Sequence, residues 1–157
     1  MDLLLALENS ALGDAIRSSA HLYAAMQIAH LIAMATLVGT GFVLDLRLLG
    51  VARMPIAELL RVTDIPLAVA AAVALITGIV MFSAEATTMA ANPAFQAKVV
   101  LIGLLFGNAL GFRWGARRSL LFWADVHPPP FSARVAGALA ITGWVATVAA
   151  ARLIAFV

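Results

Sequence analysis

The chain has 157 residues, enough for one compact domain, and no cysteine, which excludes disulfides, thiolate metal sites and cysteine nucleophiles. It is 64% hydrophobic and 11% charged, with a mean hydropathy of +1.03. Soluble domains carry about 25% charged residues, so lipid must solvate much of this surface, and the small net charge of +2 fits membrane topology better than nucleic-acid binding.

The opening segment, MDLLLALENSALGDAIR, lacks a basic n-region and has an apolar run only from Leu3 to Leu7, so it does not read as a signal peptide. Leu5, Leu12 and Ile16 share one helical face and predict a short interfacial helix. A bilayer core needs about 20 apolar residues in a helix. Four segments meet that length: 22–44, 65–85, 96–114 and 133–155. Between the first two, Pro55 to Val62 reads as one or two turns lying at the interface. Asp64 is expected to cap the second span with Pro66 in its first turn, and Asn92-Pro93 to do the same for the third. His127-Pro128-Pro129-Pro130 reads as a stiff loop, with Ser132 as the cap of the fourth span. The fold class is therefore all-α. It is a four-helix transmembrane bundle with a short N-terminal interfacial helix, one membrane domain over residues 1–157.

Arg47, Arg53, Arg61, Arg113, Arg117, Arg118 and Arg134 fall on one side of these spans. Only Arg17, Lys98 and Arg152 fall on the other. The positive-inside rule then places both termini outward, that is, periplasmic in a multi-pass protein of a bacterial inner membrane. Asp45 lies at the inner end, where an arginine such as Arg113 could pair with it.

Gly103, Gly107, Gly111 and Gly115 form a smooth ridge on the third span. Small residues let helices approach closely in lipid. The ridge predicts packing against another helix of the chain, with dimerisation as the alternative. Span four has a similar small face at Gly143, Ala146, Thr147 and Ala150, and Asn108 is expected to hydrogen-bond a neighbouring helix.

The first span carries the most informative pattern. Tyr23, Met26, Gln27, His30 and Met34 fall within about a third of the helix circumference. A polar stripe facing lipid is costly, so this face is expected to turn toward the other helices. His30 would lie roughly 12 Å below the outer end of the span. Thr77, Met81 and Glu85 from span two, Lys98 from span three and Arg152 from span four could meet it around one outward cavity. Each has a plainer explanation: interfacial snorkelling for the charged groups, gap-filling for the methionines, helix bridging for His30.

Thioether and imidazole together suit Cu(I), so His30 with Met26 or Met34 and Met81 is a soft-ligand set. Haem is the second option, but His21 and His127 are badly placed as axial partners. No Ser/His/Asp arrangement, carboxylate pair or phosphate loop is evident, so catalysis is the less favoured class.

The chain resembles a family of four-helix membrane proteins of unknown function, DUF6644. The resemblance runs from His30-Leu31 through Leu37-Val38-Gly39 and Asp45-Leu46-Arg47-Leu48-Leu49-Gly50 to Thr77-Gly78. It continues in Asn92-Pro93-Ala94-Phe95 with Lys98, in Asn108-Ala109, in Gly143-Trp144 and in Arg152-Leu153-Ile154-Ala155. It implies architecture rather than activity. From the residues themselves, the leading function is binding of a small ligand or redox metal, copper in its most concrete form. That site is an outward cavity lined by His30, Tyr23, Gln27, Glu85, Lys98 and Arg152. A structural or assembly subunit using the glycine ridge, as a homodimer or in a membrane complex, is one alternative. A haem-binding electron carrier is the other. The lipid bilayer is the expected partner and nucleic acid is not.

Overall fold

The computed structural model describes residues 2–123 and 127–156, except for the side chains of Arg113 and of residues 116–123. Seven helices follow in order: α1 (Asp2–Glu8), α2 (Ala11–Ser18), α3 (Ala20–Leu48), α4 (Ile56–Ala84), α5 (Ala86–Ala91), α6 (Pro93–Trp123) and α7 (Phe131–Leu153). Four of them, α3, α4, α6 over Pro93–Phe112 and α7, are long and apolar enough to cross a bilayer. They run in the order α4–α3–α7–α6: α3 packs on α4 and α7, and α7 on α6. One end of the bundle, the terminal face, carries both chain ends and α5. The other, the loop face, carries the α3–α4 and α6–α7 connections.

Small residues set the close seams. Ala70, Ala74 and Thr77 are buried on α4, and Ala133, Gly137, Ala140, Thr147 and Ala150 on α7. The small face expected on the fourth span is thus in the interior at Thr147 and Ala150. Trp144 of α7 reaches to within 4.0 Å of where a side chain on Gly41 of α3 would begin.

At the loop face α3 ends in a Schellman turn. Gly50 takes a φ of +82°, the Gly50 N–H donates to the Arg47 carbonyl, and the Val51 N–H donates to the Leu46 carbonyl. The His127 ring bonds the Gly50 carbonyl at 3.0 Å and ties the second loop to the first. Asp45 and Arg47 are both buried here, and the Arg47 Nε donates to the Met54 carbonyl. The expected Asp45–Arg113 pair falls on a side chain outside the described residues, as do the side chains of Arg117 and Arg118.

Two boundaries of the long helices differ from expectation. The interfacial turns at Pro55 to Val62 and the second span are one helix, so Pro66 and Asp64 lie inside α4 rather than at its start. Proline in a helix interior costs about 3 kcal/mol. Burial of Ile56 (0% exposed) in a cluster with Leu48 and Ala133, and burial of Leu59, offset it. Pro130, not Ser132, occupies the N-cap position of α7, without a side-chain cap bond. Asn92 does cap α6, its Oδ1 accepting from the Ala94 and Phe95 amides at 2.9 and 3.0 Å.

The N-terminal segment is two helices rather than one, because Ser10 caps α2 by accepting from the Gly13 amide at 3.2 Å. Of the predicted apolar face, Ile16 is buried (2% exposed) while Leu5 and Leu12 are exposed. The pair clasps the terminal face. Arg17 donates to the Ala84 carbonyl at 3.0 Å and pairs with Asp14. Glu8 Oε2 accepts from the Thr87 amide at 2.9 Å and its hydroxyl at 2.6 Å.

Those two bonds hold the Glu8 carboxyl below its ordinary value of 4.5, with nearby Arg17 lowering it further. A depressed carboxyl stabilises the docked state above the unfolded value and loses that contribution as pH falls through the folded one. The Thr87 amide resonance should therefore shift with a midpoint below pH 4.5, and Glu8→Gln should remove that titration. A midpoint at or above that value would refute the contact.

Candidate functional site: a histidine, a threonine and a lysine inside the bundle

His30 lies in the half of α3 nearer the terminal face and turns toward α4. Its Nδ1 is 2.9 Å from Oγ1 of Thr77, which is buried. The Thr77 hydroxyl donates back to the Val73 carbonyl at 2.6 Å, one turn earlier on α4. With its only proton so committed, that oxygen accepts from His30, and Nδ1 carries the ring proton. In the neutral ring Nε2 then keeps a lone pair. Gly78 makes room for this arrangement: a Cβ there would stand 3.4 Å from Cε1 of the ring.

Lys98 comes from the second turn of α6. It is half-buried and within electrostatic range of the His30 imidazole. No carboxylate oxygen lies within 4.0 Å of its ammonium among the described residues.

The other residues expected around the cavity do not gather in this way. Tyr23 and Gln27 are exposed, so the polar stripe of α3 is not turned inward as a unit. The reason is that α2 lies chiefly over α4, leaving the first turns of α3 uncovered. Glu85 is exposed at the junction of α4 and α5. Arg152 is exposed and stacks its guanidinium over Phe156 at 5.2 Å. Met26, Met34 and Met81 are half-buried. Among the described residues no three of His, Asp or Glu are grouped to hold a metal ion. His21 is exposed at the start of α3, and His127 is at the opposite face.

The glycine ridge also differs from its expected intramolecular role. Among the described residues, nothing outside their own helix backbone lies within 4 Å of where a Cβ would stand on Gly103, Gly107, Gly111 or Gly115. α6 instead turns Leu105 and Asn108 toward α7. Leu105 fills the space over Gly143, and Asn108 Nδ2 donates to the Ala136 carbonyl at 3.0 Å. The ridge is turned away from that contact, since spacing fixes which residues share a face but not which way that face points.

Two features escaped the sequence reading. Thr77 is expected from the sequence among several groups around His30, but not as its direct hydrogen-bond partner. The Glu8–Thr87 clasp had no signal beyond the cap residue Ser10.

No curated protein and no solved structure matches the chain. A family model does match, over residues 5–157, and its description is a family of unknown function. The chain therefore belongs to the DUF6644 family.

Proposed function

We propose that this chain is a multi-pass protein of a bacterial inner membrane that binds a small ligand inside the bundle, at His30, Thr77 and Lys98. Both termini would face outward, since the loop side holds the larger share of Lys and Arg. The observation that carries the reading is the His30–Thr77 bond, which, together with the nearby Ala74 backbone, orients the ring on α4. Orienting a ring through its other nitrogen is how proteins prepare an imidazole to meet a ligand. A copper ion is less well served by this site, because the Lys98 ammonium in range of His30 repels a cation.

The test is recovery of bound small molecules from the protein purified in mild detergent, alongside its absorption spectrum and metal content. Wild type should carry the ligand, and His30→Ala should lose most of it while keeping its helical circular dichroism. Thr77→Val, which removes the orienting oxygen, should reduce binding by about ten-fold, the effect of losing one hydrogen bond. Equal recovery from wild type and His30→Ala would refute the site. A Soret band or stoichiometric copper would replace the small ligand with haem or metal.

A second reading, an assembly subunit, is favoured by the unpacked glycine ridge. A second copy or another membrane helix could close on Gly103, Gly107 and Gly111. Crosslinking through α6 tests it, and a strictly monomeric protein would count against it.

A further inference from the structure

We infer that the ligand of this site bears an anionic oxygen group, a carboxylate or a phosphate, which meets Lys98 and His30 from the gap between α4 and α6. This rests on the small-ligand reading above and names its chemical class.

The charge balance of the bundle is the first ground. The acidic residues are Asp2, Glu8, Asp14, Asp45, Glu58, Asp64, Glu85 and Asp125. None falls in the half of α3, α4, α6 or α7 that surrounds Lys98, short of Glu85 at the very end of α4. At the terminal face Glu8 is engaged by Thr87, and Asp14 by Arg17. A lysine in an apolar span pairs or lines a wet cavity unless it snorkels to interfacial water. The bundle offers no carboxylate within ion-pair distance among the described residues, so the counter-charge has to come from outside it.

Access is the second ground. No Cα of α6 lies within 8 Å of α4 or α3 among the described residues, although Lys98 is in electrostatic range of His30. The gap narrows at the terminal end, where Phe82 of α4 and Phe95 of α6 stack with centroids 5.2 Å apart. At the loop end Phe112 of α6 packs on the cluster formed by Leu48, Ile56 and Ala133. Between these ends no backbone seam joins α4 to α6, and this is the side on which a narrow group would enter.

The chemistry of the pair is the third. An ammonium supplies three donors and no acceptor. His30 has its Nδ1 proton spent on Thr77, so Nε2 faces a ligand either as an acceptor or, protonated, as a second cationic donor. Among the described residues Lys98 is the one charged group in electrostatic range of that ring, and α4 faces it with Ala74, Thr77 and Gly78, none of which titrates. A carboxylate or phosphate suits this pair. Either accepts from the ammonium through one oxygen and from a protonated Nε2 through another, and a phosphate monoanion can also donate its hydroxyl to the neutral Nε2.

The experiment uses the full chain in nanodiscs, with the His30 imidazole followed by nitrogen-15 NMR. Sodium decanoate and decanol share a chain length and differ in charge. Decanoate should shift the His30 resonance saturably in phosphatidylcholine discs, and decanol should not. Lys98→Met should weaken the decanoate effect by at least about ten-fold, the scale of a lost charge-assisted bond, while Lys98→Arg keeps it. Lys98→Gln replaces Lys98→Met if the latter does not fold. A shift already present in phosphatidylglycerol discs without decanoate identifies a lipid headgroup as the source. A shift that inorganic phosphate produces in phosphatidylcholine discs identifies a soluble anion. The inference is overturned if decanol acts as decanoate does, or if Lys98→Met leaves the decanoate response intact, as a lysine merely snorkelling to interfacial water would. In either event, a small molecule retained by wild type and lost from His30→Ala leaves the ligand site standing with a neutral ligand. Equal recovery from both removes the site itself.

Discussion

Replacing Gly13 by alanine unfastens α1 and α2 from the bundle while leaving the four long helices in place. A Cβ on residue 13 would stand 2.5 Å from the Glu8 carbonyl oxygen and 2.7 Å from that of Ser83. Both are backbone atoms, so no flexible side-chain end can yield, and overpacking of this kind costs about 1–3 kcal/mol. The clasp has little to set against that cost. Its apolar anchor is Ile16, and its polar links are the Arg17 bond to Ala84 and the Glu8 bonds to Thr87. The absence of cysteine makes the measurement direct. Ser83 is fully buried (0% exposed) beneath α2, so the thiol of a Ser83→Cys variant should be shielded from maleimide. Adding Gly13→Ala should speed labelling by about ten-fold or more, as expected for loss of a locally protected state. Unchanged labelling would show that α2 accommodates the methyl group without moving.

What the sequence reveals of this protein follows from which constraints are local. The long apolar runs are legible because a bilayer demands a fixed length of hydrocarbon-compatible helix whatever the neighbours do. The Asn92 cap is legible because it depends on the next three residues only. Pro66 misleads because its local preference for a helix start is outweighed by burial of Ile56 and Leu59 ten and seven residues earlier. Ser10 and Gly13 divide the N-terminal segment, but the need for glycine at position 13 comes only in part from the nearby Glu8 carbonyl and in part from Ser83, 70 residues away. The same holds at the candidate site. His30 and Lys98 stand out as polar groups in apolar spans, while the exposure of Tyr23, Gln27 and Arg152 depends on where α2 and the chain ends lie.

Gly137→Ala should destabilise the bundle far more than any single change on the glycine ridge. At Gly137 a Cβ would meet the Asp45 carbonyl oxygen at 2.9 Å and Leu48 Cβ at 3.0 Å, both close to the α3 backbone and unable to rotate away. This is the seam where α3 meets α7, and α6 joins the bundle through α7. Forcing the seam open by a methyl group should cost about 1–3 kcal/mol, read as a lower midpoint of unfolding in mixed micelles. Gly143→Ala meets the Leu105 Cδ2 at 2.7 Å, but that is the end of a flexible side chain, so the loss should be smaller. Gly107→Ala meets nothing within 4 Å and should leave the isolated chain unharmed or firmer, since alanine is favoured over glycine in a helix by about 1 kcal/mol. The series also separates the two functional readings. If a second copy closes on the ridge, Gly107→Ala weakens self-association while leaving monomer stability intact, and Gly137→Ala does the reverse. If lipid alone covers that face, Gly107→Ala weakens neither, and the glycines there serve no contact between helices.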